Sequence, residues 1–218
     1  MFQNTQIQQN VLSSPFMLKV FWLVWYAMWI SAVTAYLSPE ILSAVPFLWN
    51  PIISLILLLW IIFTQKFWAT KEPLNLIIFT VLAWLLWVAI SPLIWMAMAI
   101  DPALVFKAFT ATACLSFAAW IYWATTKKDL SWIWWFITMA LIWMIIVWIL
   151  NMIWPSSTVS MLVSWFWVIL FSVFIAYDIN TLKNYPENMA VMAAIWLYLS
   201  IFNLFQSILS LLIQMNDD

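Results

Sequence analysis

Apolar runs about as long as a bilayer is thick follow one another along this chain, parted by short polar breaks. A helix needs about 20 apolar residues to cross the hydrocarbon core. Runs of that order lie at roughly 17–37, 46–64, 74–96, 103–125, 132–154, 159–178 and 188–214. Each is bounded by turn or charge signals: SPE at 38–40, QKFWATKEP at 65–73, IDP at 100–102, TTKKD at 125–129, WPSS at 154–157 and KNYPEN at 183–188. Asp101 and Asp129 stand where helix N-caps are wanted, because a short carboxylate can accept from free backbone N–H groups. The pattern predicts an all-α membrane protein, a seven-transmembrane-helix bundle over 17–214. A polar tail, 1–16, precedes it and a short acidic one, 215–218, follows. The last run also fits a re-entrant or half-buried hairpin.

Polar positions inside these runs carry the most information, because each lacks water as a partner. In the last run Ser200, Asn203, Ser207, Ser210 and Gln214 recur at spacings of 3, 4, 3 and 4. That period places them on one helical face, which should turn to the bundle interior or a wet cavity. Two readings stay open, interhelical hydrogen-bond glue and the lining of a pore, and both make this helix central. Asp178 closes the sixth run in FSVFIAYDINTLK. It reads either as a solvated helix-end carboxylate or as a proton- or cation-responsive gate latched by a lysine, with Lys66 the nearest candidate by topology. Tyr177, Asn180 and Asn151 read as structural donors.

Charge gives the orientation. With the N-terminus inside, Lys19, Lys66, Lys71, Lys127, Lys128 and Lys183 fall on the cytoplasmic side and only Lys107 outside, as the positive-inside rule asks. The first run exceeds a signal-peptide core, so it is expected to be retained despite the faintly cleavage-like SAVTA at 31–35.

Composition narrows the chemistry. The chain is 68% apolar and 7% charged, far from the one-quarter charged of a typical soluble domain, and its net charge of −1 offers nucleic acid no basic field. Without histidine and with the single cysteine Cys114, zinc sites, histidine acid–base chemistry and internal disulfides are excluded. No nucleophile has a histidine base. A Ser–Lys or paired-aspartate site remains formally open, but the carboxylates are scattered at the ends of runs, so an enzyme is the weaker class and no cofactor is expected.

The two last runs, FSVFIAYDINTLK and AAIWLYLSIFNLFQSILSLL, resemble the Bax inhibitor-1 (TMBIM) family, with its Tyr-Asp helix end and its Leu-Tyr-Leu…Asn-Leu-Phe helix. YWATTKKDLSWIWWF and FTVLAWLLWVAISPL resemble that family's central loop and third helix. The resemblance runs from about residue 12 to the end. It implies seven helices with the last one central.

It also bears on a peculiarity of composition, 20 Trp and no Gly. Trp84, Trp87, Trp120, Trp123, Trp132, Trp134, Trp135 and Trp143 fall where the family commonly has glycine, and Trp25 and Trp29 have the spacing of a GxxxG packing motif. A tryptophan would overpack such a seam. The expectation is that many of these tryptophans are glycines, UGA codons written under the wrong genetic code.

Some members of the family are described as pH-sensitive calcium leak channels whose sensor is a pair of aspartates with a basic latch. The first aspartate corresponds to Asp178, but the second position is Ser200, so the pair is broken. Two carboxylates sharing a site make a proton switch because both cannot ionise cheaply, and a serine removes that like-charge interaction. Calcium prefers several oxygen ligands with carboxylates among them, so Asp178, Ser200 and Asn203 would make a poor calcium site, although a leak needs only weak binding. LYLSIFNLFQSILSLL resembles the bacterial YccA-like branch more closely. That likeness implies a substrate or modulator of FtsH, the membrane-anchored AAA protease, with 1–16 as the handle, in a bacterial inner membrane. The alternative is the cation leak channel, with calcium as the transported ion.

Overall fold

The computed structural model describes residues 15–44, 56, 60, 63–65, 67–125, 131–182 and 185–216. Among these residues there is no strand, and six helices are long and apolar enough to cross a membrane. They are α1 (Pro15–Ala44), α2 (Leu74–Ile100), α3 (Ala103–Thr125), α4 (Trp134–Ile153), α5 (Ser157–Thr181) and α6 (Ala190–Asn216). Short 3-10 turns, Ser131–Ile133 and Glu187–Met189, lead into α4 and α6. The expected span at 46–64 lies almost wholly outside the described residues, so the all-helical membrane fold stands with six spans among them rather than seven. Asp129, Lys66, Lys127, Lys128, Lys183 and most of the 1–16 tail also lie outside them.

Helix ends follow local chemistry. Asp101 Oδ1 accepts from the Ala103 backbone N–H at 2.9 Å, the capping role expected of it. Ser156 Oγ accepts from Val159 N–H at the start of α5. The break expected at 38–40 is absent, since α1 continues to Ala44. Proline's fixed φ is itself helical, so a Ser-Pro pair without glycine does not oblige a helix to stop.

Pro92 lies inside α2. A proline there deprives the carbonyl four residues back, that of Val88, of its N–H partner. Ser91 Oγ donates to this same Val88 carbonyl at 2.8 Å. A neighbouring hydroxyl thus re-satisfies the freed backbone group, as membrane helices require.

The chain divides into two compact units, the first formed by residues 1–92 and 184–198 and the second by 93–183 and 199–218. In the first, Tyr198 of α6 ties three helices together. Trp87 Nε1 donates to Tyr198 Oη at 3.0 Å, and Phe79 meets the Tyr198 ring edge-on at 5.7 Å. The Ser31 hydroxyl lies 2.7 Å from Tyr198 Oη and donates its own proton to the Ala27 carbonyl at 2.6 Å. With that proton committed, Tyr198 must donate to Ser31, and the bonds run in one direction from Trp87 to Ala27. Tyr26 and Thr80 add a hydroxyl contact directly between α1 and α2 at 2.9 Å. Lys19 pairs with Glu72 at 2.9 Å, so the start of α1 and the 65–73 break share one end of this unit.

In the second unit α3 and α4 both pack on α5. Phe109 stacks on Phe205 at 4.4 Å and Trp134 on Tyr177 at 5.5 Å. More of the α6 span is buried than of any other.

Candidate functional site

Asp178 and Ser200 come together in the second unit. Asp178 sits one turn from the end of α5, where its backbone carbonyl accepts from the Thr181 hydroxyl at 2.9 Å and from the Leu182 N–H. These bonds hold the final turn closed and leave the carboxylate free to reach sideways. Ser200 Oγ donates to Asp178 Oδ2 at 2.5 Å. Ser200 is only 7% exposed and Asp178 half-buried, so the bond is partly screened from the surroundings. The bond supplies the Asp178 carboxyl with a donor within the span itself.

One turn further along α6 the polar face opens onto a cavity of about 470 Å³. Its wall includes Asn203, Ser207, Ser210 and Gln214 from α6, Ser160 and Ser164 from α5, and Asn151 from α4. The volume far exceeds what one water needs. Four of the five residues in the α6 stripe therefore face this cavity, and the fifth, Ser200, binds Asp178.

The amides are anchored by groups that accept. Asn203 Nδ2 donates to the Leu199 carbonyl at 2.9 Å. Gln214 Nε2 donates to the Ser210 carbonyl at 3.0 Å and to Ser164 Oγ at 2.9 Å. Asn151 Nδ2 donates to Ser160 Oγ at 2.8 Å, while its Oδ1 accepts from Ser156 N–H. Asn151 thus fastens α4 to the start of α5, a structural donor as its position suggests.

Ser160 and Ser164 escaped the sequence reading. Their signal was present, since Ser156, Ser160 and Ser164 recur every four residues, the spacing of one helix face. Lys66 falls outside the described residues. Among those residues no group of three or more His, Cys, Asp or Glu gathers.

A family model described as "Inhibitor of apoptosis-promoting Bax1" (Bax1-I) matches residues 13–217. The chain belongs to the Bax inhibitor family. This Bax inhibitor-family chain is 30% identical over 132 residues to a Vibrio cholerae protein described as an uncharacterized membrane protein, covering 60% of the chain and 59% of that protein. It is 27% identical over 167 residues to an uncharacterized protein of Campylobacter jejuni, 72% of each. A protein of Pseudomonas aeruginosa, also described as uncharacterized, is 31% identical over 105 residues, 48% of the chain and 47% of the relative. The match thus spans little more than half of the Vibrio relative. The segments Tyr177-Asp178 and Leu197-Tyr198-Leu199 carry or adjoin the residues that meet, Asp178 and Ser200.

Proposed function

We propose that this Bax inhibitor-family protein is a weak cation leak pathway of a bacterial inner membrane, gated where Asp178 meets Ser200. One observation carries the reading: the Asp178 carboxylate is bonded to Ser200, one helical turn from Asn203 on the wall of a polar cavity set among membrane-spanning helices. Conduction needs oxygen ligands that bind enough to admit an ion and weakly enough to release it, which hydroxyls and amides provide. Breaking the Ser200 bond would release the carboxylate one helical turn from Asn203, so the pair is suited to be a gate. With the N-terminus inside, the gate lies at the cytoplasmic end.

The test is cation flux in proteoliposomes holding the full chain, compared with Asp178→Asn at acidic and neutral pH. Flux above empty vesicles that changes with the substitution supports the pathway. Flux equal to empty vesicles removes it and returns the protein to the regulator reading, in which 1–16 is offered to a membrane-anchored AAA protease such as FtsH. Deleting residues 2–14 and following turnover by that protease then decides the second reading.

The glycine reading of the tryptophans belongs with this proposal. Trp132, Trp135 and Trp143 are 71, 75 and 62% exposed, so glycine would cost them little packing. Trp87, by contrast, is buried and donates to Tyr198.

A further inference from the structure

The cavity wall offers neutral hydroxyl and amide groups and, among the described residues, no charged one. Asn203 and Gln214 each spend an amide N–H on a backbone carbonyl, at 2.9 and 3.0 Å. A carbonyl can only accept, so both amides are held with nitrogen on that side and oxygen turned the other way. The Ser207 hydroxyl spends its proton on the Asn203 carbonyl at 2.7 Å, leaving its lone pairs. Ser160 and Ser164 accept from Asn151 and Gln214. Among the described lining residues there is no carboxylate and no lysine.

We infer that this cavity is a site for a small monovalent cation, such as an alkali ion or ammonium, and that it discriminates against calcium. The inference rests on the leak reading above and names its ion class. No described lysine or arginine on the wall offers an anion a counter-charge. A cation is attracted to neutral oxygen dipoles in proportion to its charge, whereas the cost of stripping its water rises with the square of that charge. Neutral ligands therefore meet the cost for one charge and fall short for two. Calcium sites make up the difference with carboxylates; among the described residues none lines this cavity, and Asp178 is bonded to Ser200.

The experiment uses the full chain in proteoliposomes, with a trapped dye quenched by thallium reporting monovalent influx and a trapped calcium indicator reporting calcium. Gln206→Glu places one carboxylate on the wall with no change of shape, and Ser207→Asp does so at a second position. Asn203→Leu removes a wall oxygen. The expected result is thallium influx at least about tenfold above calcium influx, reduced by Asn203→Leu, with calcium influx raised severalfold by either added carboxylate. Calcium passing as fast as thallium would overturn the ion class and leave the leak standing. Thallium influx unmoved by Asn203→Leu, or calcium influx unmoved by both carboxylates, would take the cavity off the path. Neither ion exceeding empty vesicles, with the protein folded and inserted, would remove the leak reading and this inference together.

Discussion

Ser200 Oγ, on α6, donates to Asp178 Oδ2, on α5, at 2.5 Å, so the carboxylate is bonded to a hydroxyl rather than facing a second carboxylate. Removing the hydroxyl would leave a half-buried carboxylate without this donor, which costs about 1 kcal/mol. Ser200→Ala is expected to lower stability by that order, and Asp178→Asn to lose less because an amide still offers an acceptor. A double-mutant cycle in a detergent unfolding assay measures the coupling, and a coupling of zero would mean the pair does not hold. Ser200→Asp should in turn give flux a steep pH dependence, since two carboxylates at this distance cannot both ionise cheaply.

Tyr198 holds a one-way chain of bonds from Trp87 to Ser31. Tyr198→Phe keeps the edge-on contact with Phe79 but removes the hydroxyl between Trp87 and Ser31, and should cost about 1–2 kcal/mol. If Trp87 is glycine in the native protein, the Trp87 arm is missing. Adding Ser31→Ala to the Tyr198→Phe variant would then recover most of the loss.

The Ser91 hydroxyl matters because Pro92 has no N–H to give Val88. Ser91→Ala is expected to cost about 1 kcal/mol with Pro92 present and close to nothing beside Pro92→Ala, which restores the backbone donor. Equal costs in both backgrounds would show that the hydroxyl serves some other partner.

Asp101 caps α3 and pairs with Lys107 at 3.3 Å. The Ala103 N–H, followed by Lys107, holds its carboxyl below the ordinary aspartate value of 3.8. A folded-state value below the unfolded one favours the folded form above the unfolded value, and the benefit is lost as pH falls through the folded one. Thermal unfolding should therefore show a small loss of stability as pH drops below about 3.8. Asp101→Asn, which still caps, should flatten that limb.

The intact mass of the native protein tests the glycine reading. A mass near 25.7 kDa would mean the tryptophans are real, and a lower mass would count the positions decoded as glycine.

Helical period and hydropathy are local properties, so the chain announced them directly. Six of the spans, the Asp101 cap and the shared face of Ser200, Asn203, Ser207, Ser210 and Gln214 follow from spacing alone. Spacing says which side of a helix a residue occupies, not what stands opposite. Only packing could decide that Ser200 meets Asp178, 22 residues away, that Ser31 meets Tyr198, 167 residues away, or that the stripe borders a cavity with Ser160 and Ser164 across it. In a bilayer core no water can stand in for a missing partner. A polar side chain's role there is settled by the neighbouring helix that tertiary structure brings to it.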